Sequence, residues 1–200
     1  MKTKTFISAA VIAAFSLAFK VIEPSSWEAD KSHAKIGFTV SHLMISDVEG
    51  WFKKFDAKIT ASKEDFSDAT AEMTADINSI NTDDEKRDAH LKSPDFFDAA
   101  KFSTLSFKSI SFKKIIDGTY RVGGNLTMHG VTRFVELDAS CKTGINPMSK
   151  KTVAGFKITG LIKRSDFGIG ASMPSTMVGD DISITVNAEF VKKELPAAGM

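Results

Sequence analysis

The chain has 200 residues, of which 42% are apolar and 26% charged, and its formal net charge is +1. One domain suits this length, because a single all-β barrel can use all of it. A charge this close to zero gives no electrostatic reason to expect binding to nucleic acid or to an anionic membrane surface. The aromatic residues comprise 16 phenylalanines, two tryptophans and one tyrosine, which favours a thick apolar core or an apolar cavity.

Residues 1–18 follow the order of a secretory signal peptide. Lys2 and Lys4 precede an uncharged apolar stretch, and Ser16-Leu17-Ala18 supplies the small residues for cleavage after Ala18. The stretch is too short for a transmembrane anchor. Cys141 is the single cysteine, so no intramolecular disulfide can form, and an exported chain of this size without disulfides fits the bacterial periplasm. Residues 19–26 are predicted to be a linker, 27–193 one domain, and 194–200 a disordered tail.

Alternation of apolar and polar residues with a period of two dominates the domain, and it predicts β-strands. Lys53-Lys54 interrupts one strand and indicates a bulge, and Asp117-Gly118 indicates a tight hairpin turn. The total is about eight strands, which a sandwich or a closed barrel would satisfy, and periodicity alone does not choose between them. The alternating segments are 34–41, 48–60, 71–78, 105–107, 120–128, 131–141, 153–164 and 182–190.

One short helical insert is predicted near residues 82–98. Thr82 with Glu85 three residues later has the form of a capping box, so we expect Thr82 to be the N-cap of a helix that runs to about Leu91. Ser93-Pro94 indicates a second brief turn through Phe97. No helix is long enough to cover a sheet.

Nine short segments stand in an order that resembles the YceI-like family of periplasmic polyisoprenoid-binding proteins. The resemblance spans about residues 27–192, and it departs from the family at Ser103, where proline is usual. It implies an eight-stranded antiparallel lipocalin-like barrel that holds an extended isoprenoid tail and is often a homodimer. The segments are WEADKSH (27–33), IGFTVSH (36–42), GWF (50–52), NT (81–82), RDAHL (87–91), SPDFFD (93–98), GNLTMHGVT (124–132), RSDFG (164–168) and VGD (178–180).

With that barrel, the apolar faces of the strands predict a wall that contacts the lipid. His42 and Arg164 share strand parity with the wall, so each could meet a lipid head group, or could instead tie strand ends together, Arg164 with Asp166. The other predicted ligand-binding residues are Ile36, Phe38, Val40, Met73, Ile77, Leu105, Phe107, Leu126, Met128, Phe156, Ile158, Ile184 and Val186.

The sequence therefore predicts a lipid-binding protein that is not an enzyme, with no catalytic residue, no metal site and no cofactor beyond the bound lipid. No sequence motif of a hydrolase, a zinc protease or a P-loop is present. Three alternatives stay open: a carrier of other amphiphiles such as fatty acids or amides in envelope stress, a hydrolase or metal site assembled in space, and a structural dimer with a dry core.

Overall fold

The computed structural model describes residues 23–193, so the predicted signal peptide and the predicted tail lie outside the described residues. Ten strand segments and one α-helix make up this part of the chain. They are β1 (Ser25–His42), β2 (Ser46–Phe52), β3 (Phe55–Ala61), β4 (Thr70–Asp76), β5 (Ile80–Asn81), α1 (Glu85–Lys92), β6 (Thr104–Ile116), β7 (Thr119–Met128), β8 (Val131–Ile145), β9 (Thr152–Lys163) and β10 (Val178–Lys193).

The ten segments form a closed antiparallel barrel of eight strands. β2 and β3 are two halves of one bent strand, because both pair with β1, while β4 and β5 pair with β3 and β2 in the same way. From β6 to β10 each strand pairs with the next. Pairing of β10 with β1 closes the barrel over most of the length of both strands. The predicted eight-stranded barrel is confirmed, and the sandwich is excluded.

The bend in the wall has a specific hydrogen-bonded cause. The break after β2 falls at Lys53-Lys54, the predicted bulge, and it lies opposite a 3₁₀ turn at Ile77–Ser79. Ser79 bridges the two breaks, because its hydroxyl accepts from the backbone N–H of Lys54 at 2.9 Å and donates to the carbonyl of Asp76 at 2.6 Å. Both strands therefore bend together, and the Ser79 hydroxyl joins the backbones of the two breaks.

Two predicted boundaries were wrong. The linker prediction extended to residue 26, but β1 already begins at Ser25, which pairs with Ala61. Helix α1 has Asp84 and not Thr82 as its N-cap, because the Asp84 carboxylate accepts from the N–H groups of residues 86 and 87. Thr82 is buried and instead donates its hydroxyl proton to Asp88.

One end of the barrel is filled by aromatic side chains that we call the floor cluster. Phe66 lies at its centre, on the loop between β3 and β4, and is 1% exposed. Its ring centroid is 5.1 Å from that of Trp27 and 5.3 Å from that of Phe156. The Tyr120 hydroxyl donates to the Asp65 carbonyl at 2.7 Å and so holds the loop in place. The floor cluster consists of Trp27, Phe66, Phe112, Tyr120, Phe156 and Phe190.

We expect Phe66→Ala to lower the free energy of unfolding by about 3–5 kcal/mol, because the floor would lose a fully buried ring and gain a cavity. Denaturant unfolding measures the change. Phe134→Ala is the matched control, since Phe134 lies on the outer face of the barrel and is 58% exposed. Equal losses in the two variants would show that Phe66 does not close the barrel.

Candidate binding cavity

A cavity of about 200 Å³ occupies the barrel above the floor cluster. Its wall is built in rows across the strands, because residues of equal parity on neighbouring strands face inward side by side. Val186 of β10 lies between Ile36 of β1 and Ile158 of β9, and Ile184 lies beside Phe38 one row higher. Alternation of period two on each strand thus becomes a continuous apolar surface inside the barrel.

Thirteen of the fifteen predicted ligand-binding residues line this cavity. They come from six strands and from the 3₁₀ turn that follows β9, so the sequence pattern identified much of the wall. The thirteen are Ile36, Phe38, Val40, Met73, Leu105, Phe107, Leu126, Met128, Phe156, Ile158, Arg164, Ile184 and Val186.

Two of the predicted ligand-binding residues, His42 and Ile77, do not line the cavity. His42 is exposed at the last position of β1, just after the register of β1 against β10 shifts between Val40 and His42. Ile77 is 1% exposed and belongs to the core, but it does not line the cavity. The 3₁₀ turn that begins at Ile77 ends the alternation of β4, so strand parity no longer determines where its side chain points.

The predicted wall missed the part of the cavity that comes from the helical insert. Leu91, Phe96 and Phe97 line the cavity from above, and the Phe97 ring lies 6.4 Å from that of Phe52. No strand period covers residues 82–98, so the only sequence signal for this lid was a pair of phenylalanines within a polar segment. The insert therefore covers the cavity at the end opposite the floor cluster.

The cavity is open on one side of this upper end. Inward residues near the top of β1, β9 and β10, namely Val40, Ile162 and Ile182, are only half-buried. Leu105 and Met128, on β6 and β7, are 7% and 4% exposed. The β6–β7 side is thus closed, and we call the region beside the half-buried residues of β1, β9 and β10 the mouth.

Arg164 is buried at the cavity wall, but its guanidinium group is fully occupied by the protein. All of its N–H groups find backbone carbonyls, because Nε donates once and each Nη donates twice, at 2.6–3.1 Å. No donor is left for the head group of a lipid, so the role of Arg164 is structural. Arg164 binds backbone carbonyls, whereas the sequence had suggested a contact with Asp166. The carbonyls belong to Ile169, Gly170, Met173, Val178 and Gly179.

The side chains that line the cavity wall are almost all apolar. Among the described residues that line it there is no Ser, Thr, Cys, Tyr, His or Asp. Lys58 and Glu72 reach its edge but are exposed on the outer surface. Cys141 is buried, as predicted, and desolvation raises the pKa of its thiol to about 11, so it stays protonated at neutral pH. The cavity therefore provides burial for apolar groups and little else.

One group of side chains outside the cavity has the composition of a metal site. Ligand atoms of Asp30, His33 and Glu189 all lie within 4.8 Å of one another, at an irregular stretch of β1. Hydrogen bonds from Ser32 and His33 lower the pKa of Asp30 to about 2, and the bond with Asp30 raises the pKa of His33. An Asp–His hydrogen bond of 3.0 Å accounts for this pair without an ion, and none of the three residues lines the cavity.

Comparison with known proteins places this barrel in a family. The family model described as the YceI-like domain matches residues 27–190. The chain belongs to the YceI-like family. A UPF0312 protein of Staphylococcus aureus strain MSSA476 is 36% identical over 168 residues, which cover 80% of this YceI-like chain and 94% of that protein.

Solved structures share the architecture. The YceI protein of Campylobacter jejuni is 29% identical, with a TM-score of 0.70 over 94% of this YceI-like chain and all of the other. BcnA of Burkholderia cenocepacia has a TM-score of 0.73 at 24% identity, covering 80% and 98% of the two chains. A polyisoprenoid binding domain from Saccharophagus degradans, implicated in plant cell wall breakdown, has the same fold at 14% identity, with a TM-score of 0.61 over 84% and 98%.

We expect Arg164→Lys to lower the free energy of unfolding by about 2–6 kcal/mol. Lysine has three donors on one atom, so at least two buried carbonyls lose their partner, and each such loss costs about 1–3 kcal/mol. Chemical denaturation measures the loss. Arg133→Lys is the control, because Arg133 is exposed and makes only a single hydrogen bond of 3.4 Å. An unchanged stability in Arg164→Lys would contradict the structural role.

Proposed function

We propose that this protein binds a long-chain isoprenoid, of the polyprenyl or prenylquinone type, with its tail inside the barrel. The observation that carries the proposal is the apolar cavity inside the barrel, closed by the floor cluster at one end and open at the mouth. An extended hydrocarbon fits such a site, because burial of each CH₂ contributes about 0.8 kcal/mol and no charged group has to be desolvated. The polyisoprenoid binding domain from Saccharophagus degradans supports this ligand class by its fold.

The volume of the cavity limits the length of tail that it can hold without rearrangement of its wall. A cavity of roughly 150 Å³ holds one benzene molecule, so 200 Å³ accommodates between one and two five-carbon isoprene units. Association costs an estimated 4–15 kcal/mol, and one unit contributes only about 4 kcal/mol, so several units must be buried. A longer tail therefore has to displace inward side chains.

The wall contains side chains that can move. Phe38, Met73, Ile184 and Val186 are half-buried, in contrast to the closely packed floor. Met73 and Met128 have unbranched side chains that adapt to a kinked chain. We infer that the tail enters from the mouth, rotates these side chains aside and stops at the floor cluster.

We further propose that the protein sequesters or carries this lipid in the bacterial periplasm and catalyses no reaction. The signal-peptide pattern of residues 1–18 supports export. No helix among residues 23–193 is long and apolar enough to cross a membrane. The apolar wall of the cavity supports binding in place of catalysis. A homodimer, which the family resemblance implies, is a further part of the proposal.

We expect Ile158→Asp to abolish lipid retention, because a carboxylate in the wall would have to be desolvated whenever a tail is bound. Mass spectrometry of organic extracts from natively purified protein measures the retained lipid and identifies its class. Thr159→Asp is the matched control, since residue 159 is the next residue along β9 and points outward. Folding of both variants is checked by circular dichroism.

Retention that is equal in the two folded variants would refute binding inside the barrel. Fatty acids or amides in the wild-type extract, in place of isoprenoids, would support the alternative carrier function. An extract without any lipid, together with an unchanged melting temperature when isoprenoid is added, would support the other alternative, a structural dimer with a dry core.

A further inference from the structure

Three apolar residues at the tip of the β1–β2 hairpin stand out on the surface. Leu43, Met44 and Ile45 are 47%, 75% and 87% exposed, and we call them the mouth loop. Met177, from the loop before β10, is 48% exposed, and its carbonyl accepts a hydrogen bond from the N–H of Leu43 at 3.0 Å. Four apolar side chains on neighbouring loops form a small protruding patch.

The backbone of the mouth loop is one that such residues rarely adopt. Leu43 and Met44 have φ of 54° and 58°, and the N–H of Ile45 donates to the carbonyl of His42 at 3.1 Å. These two features describe a tight hairpin turn with positive φ at both central positions, where Asn-Gly is the usual choice. Bulky apolar residues are strained there and gain nothing from burial. The tip thus has a costly conformation that displays apolar side chains to the solvent.

The mouth loop lies beside the opening of the cavity. Val40, which lines the cavity near the top of β1, is three residues before Leu43. Val178, which also lines the cavity, follows Met177 directly. A tail that enters or leaves between β1 and β10 must therefore pass this patch. Apolar side chains at the entrance of an apolar cavity extend its surface outward.

We propose that the mouth loop inserts into the surface of a lipid bilayer, so that a tail passes between bilayer and cavity without crossing water. This inference rests on the proposed function. Exposed aliphatic residues at a protruding tip are suited to the boundary between head groups and acyl chains. Because the tip itself bears no charge, insertion depends on apolar contact.

The charges around the patch favour a neutral bilayer over an anionic one. Asp47 and Glu49 follow the mouth loop on β2. On the β9–β10 side, Lys163 is paired with Asp181 at 2.9 Å and with Asp180 at 3.8 Å. Attraction to anionic lipid needs a cluster of lysine or arginine residues, and the described residues provide none here. Zwitterionic phosphatidylcholine is therefore the expected partner surface, with little dependence on salt.

A fluorescent probe on the mouth loop tests the inference. Ile45→Cys is labelled with the environment-sensitive dye NBD, and Met148→Cys is the matched control, because Met148 is 88% exposed on the loop between β8 and β9 at the floor end. Cys141 is buried and remains protonated, so it escapes labelling at neutral pH. On addition of phosphatidylcholine vesicles we expect a blue shift and a rise in intensity for the probe at residue 45, unchanged by added salt, and no change at residue 148.

The opposite results would overturn the inference. The first is fluorescence at residue 45 that does not change when vesicles are added. The second is an equal change in fluorescence at residues 45 and 148. A blue shift that needs no vesicles and grows with protein concentration would assign the patch to a second copy of the chain.

A transfer assay separates docking from lipid binding. The double variant Met44→Asp with Ile45→Asp should retain preloaded isoprenoid yet take up isoprenoid from vesicles at least about tenfold more slowly than the wild type. Ile145→Asp with Met148→Asp should transfer like the wild type, and equal rates in both double variants would contradict docking. If the wild type carries no lipid while the probe at residue 45 enters vesicles, the proposed function fails and docking stands.

Discussion

Pairing of β10 with β1 is the contact on which the rest of this structure depends. It joins the first and last strands of the domain from Ser26–Lys193 at one end to His42–Val178 at the other, with two register shifts between. Without it the sheet would have two open edges, and its apolar face would not enclose a space. With it, every strand contributes one face to a common interior, so the cavity is a consequence of closure.

Closure alone does not decide whether the interior is packed or hollow. The floor cluster fills one end because a loop places Phe66 between the rings of Trp27 on β1 and Phe156 on β9. At the other end the insert contributes Leu91, Phe96 and Phe97 to the lining, while the residues beside the mouth stay half-buried. The two ends of the barrel therefore differ in packing. The closely packed end gives stability, and the loosely packed end can admit a ligand. Stability and binding are thereby assigned to different parts of one core.

The alternation of apolar and polar residues was sufficient to predict the wall of the cavity, but it did not predict the two ends of the barrel. Ile36, Phe38, Ile158 and Val186 were found because a period of two fixes which side of a closed sheet a residue faces. His42 shares this period but stands at the last position of β1, where it is exposed to solvent and does not line the cavity. The role of Phe66 was missed because a loop residue with positive φ has no period from which to infer burial.

The role of Arg164 was likewise beyond the sequence. Its parity allowed a contact with a ligand head group, and only the folded loop from 164 to 178 shows that five carbonyls converge on its guanidinium group. Such convergence depends on distances between residues up to 15 positions apart, which no pattern of residue types records. The nine ordered segments, by contrast, indicated the family correctly, and the YceI-like family model matches nearly the same stretch of the chain, residues 27–190.

The most direct test of a cavity that admits an isoprenoid tail is the melting temperature of the protein in the presence of prenyl alcohols of increasing length. The melting temperature should rise with each added isoprene unit until the barrel is full and then stay constant, because stabilisation follows the buried length of the tail. A melting temperature that does not depend on chain length, or one that responds only to the head group, would contradict binding of the tail inside the barrel.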